Sequence, residues 1–291
     1  MKIFIIGASG LVGSNCLQCM CENPDFDVIG SHYMFATNDT EYFDVFNISK
    51  TTFDLKAFDP DVIIHTGAMT HVDYCETHEE ESYKHTVKST EAAIELANSF
   101  NAKFVYISTD YIYDGENGPY DEEAKTNPLS VYGRHKLLAE KIVKERCEDH
   151  LILRITNVYG KEIRGKNFVA FLIKTAQSGE AKQLRLPLDQ YATPINAADI
   201  GKIVCRLILD SKQGVYHLAS DEYINRVELA EKVLAHFPVN NIKIEALTTA
   251  ELGQAAPRPL KGGLLTDKIK NEYPDFVFSS VDKYMEDESG I

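Results

Sequence analysis

The stretch Lys2-Ile3-Phe4-Ile5-Ile6-Gly7-Ala8-Ser9-Gly10-Leu11-Val12-Gly13 decides how the rest of the chain is read. Five residues of near-continuous apolar character predict a buried strand over Lys2–Ile6. A glycine at every third position then opens an amphipathic stretch, Leu11–Glu22, that reads as a helix. Each glycine has its own reason in a strand–turn–helix of this spacing. Gly7 permits the tight turn, Gly10 lets backbone approach a pyrophosphate, and Gly13 lets the helix pack close. Ser9, Leu11 and Val12 complete the turn, whose unpaired N–H groups and partial positive charge suit an anion. The expected ligand is a dinucleotide.

Working outward, apolar runs alternate with helical stretches. Strands are expected at Asp27–Ser31, Asp61–Thr66, Lys103–Ser108 and Leu151–Ile155, and helices at Glu80–Phe100 and Ser130–Glu148. Such alternation predicts an α/β fold, a Rossmann-type doubly wound parallel sheet. Beyond it, Phe168–Gln177, Ala198–Leu209 and Asn225–His236 read as helices, Gly214–Ala219 as a strand, and Ala255–Gly263 as a loop. The expected organisation is a dinucleotide-binding domain over 1–160, rejoined by 190–220. A smaller, interleaved substrate domain is expected from 161–189 and 221–291.

Composition narrows the function. Of 291 residues, 44% are hydrophobic and 25% charged, which is ordinary for a globular chain with a substantial core. Thirty Lys and Arg against forty-four Asp and Glu give a net charge of −14, which argues against a nucleic-acid surface. The apolar runs are far shorter than the ~18 residues of a membrane span, and glycines interrupt the first too soon for a signal peptide. The six cysteines include Cys16, Cys19 and Cys21 on the first predicted helix, with no second pair at ligand spacing. They read as structural thiols in a reducing cytoplasm, with no metal site expected. His71, His78 and His85 recur every seven residues and could share one helix face. At ~1.5 Å per residue they stand too far apart to hold one ion. Glu79-Glu80-Glu81 suits a helix N-terminus.

The end of the second strand separates NAD from NADP, because an acid there binds the ribose 2′-hydroxyl. This chain has Ser31-His32-Tyr33, with neither carboxylate nor arginine, so NADP is expected, with NAD as the alternative. Asp44, followed by Val45, is a candidate for the adenine amine. Further on, Tyr132 and Lys136 stand four apart at the start of a helix and so share a face. A neighbouring ammonium favours the phenolate and makes tyrosine a usable acid or base. The pair follows Ser108-Thr109-Asp110 at the end of a buried strand, where parallel sheets bind ligands. Thr109 is then the donor to a substrate oxygen.

On these residues the chain resembles the extended short-chain dehydrogenases/reductases, and within them the dTDP-4-dehydrorhamnose reductase branch. The carrying segments are Phe104–Gly115, Asn127–Gly133 with Lys136 and Glu140, Asn167-Phe168-Val169, Asp189-Gln190 with Thr193-Pro194, and Arg258-Pro259. The resemblance implies NAD(P)H-dependent reduction of a 4-keto-6-deoxy sugar nucleotide, with Thr109, Tyr132 and Lys136 catalytic. It implies Thr66, Gly67 and Ala68 at the cofactor, and Asp110, Tyr111, Asn157, Asn167, Gln190 and Arg258 beside Thr109 at the substrate. Two positions depart from the pattern. His65-Thr66-Gly67-Ala68 replaces Asn-Ala-Ala-Ala, and Asn157 stands where a tryptophan commonly packs on the sugar. An epimerase or dehydratase, or a non-catalytic cofactor-binding subunit, are the alternatives. Partners expected are a nucleotide sugar and at most a second copy of the chain, a homodimer.

Overall fold

A computed structural model describes residues 1–289. Along the chain run β1 (Lys2–Ile6), α1 (Leu11–Cys21), β2 (Asp27–His32), β3 (Glu41–Tyr42), α2 (Leu55–Phe58), β4 (Val62–His65), α3 (Val72–Thr77) and α4 (Glu79–Tyr83). A π-helical turn at Lys84–Lys88 leads into α5 (Ser89–Ser99), then β5 (Lys103–Thr109), α6 (Val131–Arg146), β6 (His150–Ile155), β7 (Val158–Tyr159) and α7 (Phe168–Ser178). There follow β8 (Lys182–Pro187), β9 (Tyr191–Ala192), β10 (Ile195–Asn196), α8 (Ala197–Leu209), β11 (Gly214–Leu218), β12 (Ile224–Asn225) and α9 (Arg226–Ala235). The chain ends in β13 (Ile242–Leu247), α10 (Thr249–Leu252), α11 (Asp267–Glu272) and α12 (Val281–Ser289).

Seven strands form one parallel sheet in the order β11-β6-β5-β4-β1-β2-β3. The order reverses beside β1, so the crevice at the carboxyl ends of β1 and β4 is where such a sheet takes a ligand. Alternate residues of each strand feed opposite faces. Ile3 and Ile5 pack with Cys16, Met20, Ile200 and Val204 from α1 and α8. Phe4 and Ile63 pack with Val87, Ile94, Ala139 and Val143 from the α5–α6 side. Burial on both faces explains the continuous apolar strands.

A second, smaller core joins Tyr159, Leu172, Leu186, Leu229, Val233, Val281 and Met285. Part of 221–291, expected to lie wholly in the smaller domain, does not pack there. Ile269 and Tyr273 belong to the sheet core, because Lys268 Nζ donates to Val215 O (2.7 Å) and Tyr216 Oη donates to Glu272, tying α11 to β11.

The helix expected over Glu80–Phe100 is interrupted. Its ladder shifts register at 84–88, where Ser89 Oγ donates to His85 O (2.7 Å) and Thr90 Oγ1 to Thr86 O (2.7 Å). These hydroxyls satisfy carbonyls that the shifted ladder leaves short. The histidines share no helix face. His71 caps α3, accepting from Tyr74 N (3.0 Å), His78 lies between α3 and α4 with φ −134°, and His85 is in the π turn. Among the described residues no three His, Cys, Asp or Glu groups gather as metal ligands, and no helix is long and apolar enough to cross a membrane.

Candidate active site

The glycine turn is built for close backbone contact. Gly7 adopts φ +86°, and a Cβ on Gly13 would stand 2.4 Å from Gly7 O and 2.8 Å from Thr66 Oγ1. Thr66 Oγ1 itself donates to Ile6 O (2.9 Å) and Gly7 O (3.0 Å), which fixes the turn against the end of β4. Gly10 differs: a Cβ there would meet only Gly7 O, at 3.4 Å. Its outer side is open. No side chain caps α1, so the first-turn N–H groups of this 11-residue helix are left for an anion to accept from. A dinucleotide pyrophosphate fits this cradle. Ser9, Leu11, Val12, Gly67 and Ala68 stay partly accessible around it.

Two other cofactor candidates are engaged elsewhere. Ser31 is buried and donates from Oγ to Ile5 O (3.1 Å), inside the sheet. His32 Nδ1 is 2.9 Å from Thr40 Oγ1. Asp44 accepts from Phe46 N (3.0 Å) through one oxygen and stays partly exposed, while Val45 packs against the core.

Thr109 ends β5, and Ser130 caps α6 by accepting from Gly133 N (3.2 Å), which sets Tyr132 in the first turn. Glu76 also accepts from Val131 N (2.9 Å) at this helix end. Gly133 is required by the close approach of Tyr111 O, 2.2 Å from where its Cβ would stand. Tyr132 is buried edge-on to Tyr111, with ring centroids 5.6 Å apart. Burial pushes its phenol above the usual tyrosine range, the Thr109 hydroxyl holds it down, and Asp110 raises it further. Lys136 is buried one turn on. Its Nζ donates to Ile107 O (2.5 Å) and lies 4.1 Å from the Tyr106 ring centroid. It points to β5 and not to the phenol, contrary to the pairing expected from spacing alone. Burial pulls its pKa down to about 7, against Glu140, which favours the ammonium. His65 at the end of β4 is buried with both ring nitrogens unpartnered, and burial drives its pKa down to about 3.

Asp110 is buried, and burial raises its carboxyl above the usual range against the hydrogen bonds that it accepts. It accepts from Thr156 Oγ1 (2.7 Å), Gly263 N (3.3 Å) and Thr109 Oγ1 (3.3 Å). Arg258 is not an exposed loop arginine. Its side chain is only 7% exposed and pairs with Asp73 at 2.8 Å, beside an open cleft of about 430 Å³ lined by Asp114, Gly115, Glu116, Leu129, Leu260 and Lys261. Asn157, with φ +36°, accepts from Arg226 Nη2 (2.8 Å), whose guanidinium lies 5.0 Å from the Phe168 ring centroid. Arg226 and Arg258 both act electrostatically on Tyr111, so two guanidiniums stand near that phenol, and of the two only Arg258 lines the cleft. Sequence reading missed Arg226 and Asp73, because neither carries a local motif; only the fold brings them to Tyr111 and Arg258.

Asn167 and Gln190, expected at the substrate, are committed to structure. Asn167 caps α7, accepting from Ala170 N (3.0 Å) and donating to Gly160 O (2.9 Å). Gln190 Nε2 donates to Thr249 Oγ1 (2.9 Å) and Gln254 Oε1 (2.6 Å).

Comparison with known proteins identifies the family and agrees with the fold. The family model described as RmlD substrate binding domain matches residues 1–279. A dTDP-4-dehydrorhamnose reductase of Escherichia coli is 29% identical over 285 residues, 94% of this chain and 92% of that protein. The methionine adenosyltransferase 2 subunit beta of Danio rerio is 27% identical over 277 residues, 92% of this chain and 84% of its own. A dTDP-4-dehydrorhamnose reductase of Bacillus anthracis, solved in complex with NADP, superposes with a TM-score of 0.86. It is 26% identical, and the match covers 98% of this chain and 97% of that one.

Proposed function

We propose that this chain, which belongs to the RmlD substrate-binding-domain family, is an NADP-dependent reductase of a 4-keto-6-deoxy sugar nucleotide. What supports the reading is Thr109 at the carboxyl end of β5, with Tyr132 and Lys136 in the first turns of α6, in a sheet whose β1 opens into a glycine turn and an uncapped helix N-terminus. The bound reduced nicotinamide supplies the hydride. Thr109 donates to the C4 oxygen of the sugar and withdraws electron density from its carbonyl. Tyr132, kept protonated by burial, gives its proton to that oxygen as alkoxide character develops. Lys136, as its ammonium, is the candidate to hold the nicotinamide ribose, and the Thr109 hydroxyl is the group that lowers the cost of the phenolate left behind. Arg226 and Arg258 face the diphosphate of the substrate. The smaller core, built around α7, α9 and β13, carries the sugar-nucleotide side of the cleft.

Asp110 speaks against a dehydratase, which needs an acid free to protonate a leaving hydroxyl. Its Oδ2 already accepts from Thr156 and Gly263. A second reading, a cofactor-binding subunit without turnover, is favoured by the likeness to a methionine adenosyltransferase subunit beta. The separating experiment follows the nicotinamide absorbance while the chain is incubated with NADPH and dTDP-4-dehydrorhamnose. Stoichiometric NADPH oxidation is expected. Conversion without net oxidation favours an epimerase. Tight NADPH binding with no conversion of any 4-keto sugar nucleotide favours the subunit.

A further inference from the structure

The end of β2 holds neither a cation nor a free acid for the adenosine ribose. Ser31 is turned into the sheet, and His32 is held by Thr40. Glu41, the partner of Ser31 on β3, accepts from Thr52 Oγ1 (2.6 Å). A cation reaches this end of the sheet from a distant segment. Residues 161–166, Lys161-Glu162-Ile163-Arg164-Gly165-Lys166, carry three cations in a chain of net charge −14.

This loop is built, not loose. Asn15 Nδ2, in α1, donates to Lys161 O (2.9 Å) and so pins the loop across the helix that carries the cradle. Glu162 Oε1 accepts from Lys166 N (2.8 Å), Asn167 N (2.7 Å) and Asn167 Nδ2 (2.9 Å), which fixes this carboxylate to the loop itself. Gly165 turns the chain at φ +56°. Between these fixed ends, the Arg164 guanidinium lies 5.3 Å from the ring centroid of Phe35, three residues past the end of β2. Among the described residues no carboxylate lies within ion-pair distance of Arg164. An arginine seated on an aromatic ring keeps its N–H edge for a bidentate partner.

We propose that Arg164 recognises the 2′-phosphate of NADP(H), so that cofactor preference is set from the segment between β7 and α7 and not from the end of β2. The inference rests on the dinucleotide reading above. In a Rossmann sheet the 2′ position of the adenosine ribose lies at the end of β2, and Arg164 is the cation that the fold carries to that end. The chemistry is a charge-assisted, planar pairing of guanidinium with phosphate.

The test is calorimetric titration of the full chain with NADPH, NADH, adenosine 2′,5′-bisphosphate and ADP. Arg164→Ala should weaken NADPH and adenosine 2′,5′-bisphosphate by about 10- to 100-fold, as for loss of a hydrogen bond to a charged group. NADH and ADP should stay within about twofold, because they lack the phosphate. Arg164→Lys should retain part of the preference. Arg164 is exposed, so the melting temperature of both variants should match the parent chain. The inference falls if Arg164→Ala weakens NADPH and NADH alike, or weakens neither. If the unaltered chain binds NADPH and NADH but Arg164→Ala changes nothing, only this inference fails. If the unaltered chain binds no dinucleotide at all, the cofactor reading fails with it.

Discussion

Replacing Arg154 by methionine should destabilise the protein far more than any surface change, and the structure says why. Arg154 Nε and Nη2 donate to Glu140 at 3.1 and 2.9 Å, and the two side chains are only 4% and 1% exposed. Nη1 also donates to Tyr113 Oη (2.8 Å) and Glu122 O (3.2 Å). Methionine fills similar volume but leaves Glu140 charged, buried and unpaired. Breaking a buried pair in this way costs about 3–5 kcal/mol. For a chain of this size that corresponds to a fall of about 5–8 °C in melting temperature. Glu140→Gln combined with Arg154→Met removes the stranded charge and should recover roughly half of the loss.

The pH dependence has a fixed sign. In Arg154→Met the buried carboxylate has lost its cation, and protonation removes the stranded charge. The loss is then smallest at acid pH and grows towards neutral pH. Urea denaturation of the four variants, at acid and neutral pH, measures both effects. A loss below about 1 kcal/mol for Arg154→Met would refute the reasoning. So would a double variant as unstable as the sum of the singles.

The glycine turn predicts a contrast. Gly10→Val should abolish NADPH binding with little change in melting temperature, because its side chain enters open space where the pyrophosphate must approach. Gly13→Val should lose both, since its Cβ stands 2.4 Å from Gly7 O; calorimetry and thermal melts check the pair. Tyr132→Phe should lower turnover by ~10²–10⁴ while NADPH affinity holds, as read from single-turnover hydride transfer and titration. Lys136 titrates near 7 when buried, against 10.5 ordinarily. The unfolded chain therefore binds more protons between those values, and this group alone makes stability rise with pH across that window. Ribose binding that needs the ammonium should weaken as pH rises through about 7, and Lys136→Met should erase that step in NADPH titrations.

What could be read from sequence was whatever is local. The glycine spacing, the continuously apolar β1, β4 and β5, and the Tyr132–Lys136 interval each express a short-range rule, and the family match and the sheet order bear out the fold they imply. The π turn was hidden because apolar periodicity does not register one inserted residue; the hydroxyls of Ser89 and Thr90 mark it only once their acceptors are known. Asn167 shows the opposite error. A polar residue before an apolar run is first a helix cap, and its amide is consumed by Ala170, Gly160 and Glu162. Arg258 shows how burial changes a reading: in a loop of prolines and glycines it looks solvated, yet Asp73, far away in sequence, holds it in the cleft. The same logic connects Asn157 to function. Where a tryptophan would offer a flat face to a sugar, this chain has a short amide that spends its oxygen on Arg226. The tryptophan's stacking surface is thereby exchanged for a fixed guanidinium, so selectivity in this cleft should depend more on the charged diphosphate than on the face of the sugar ring.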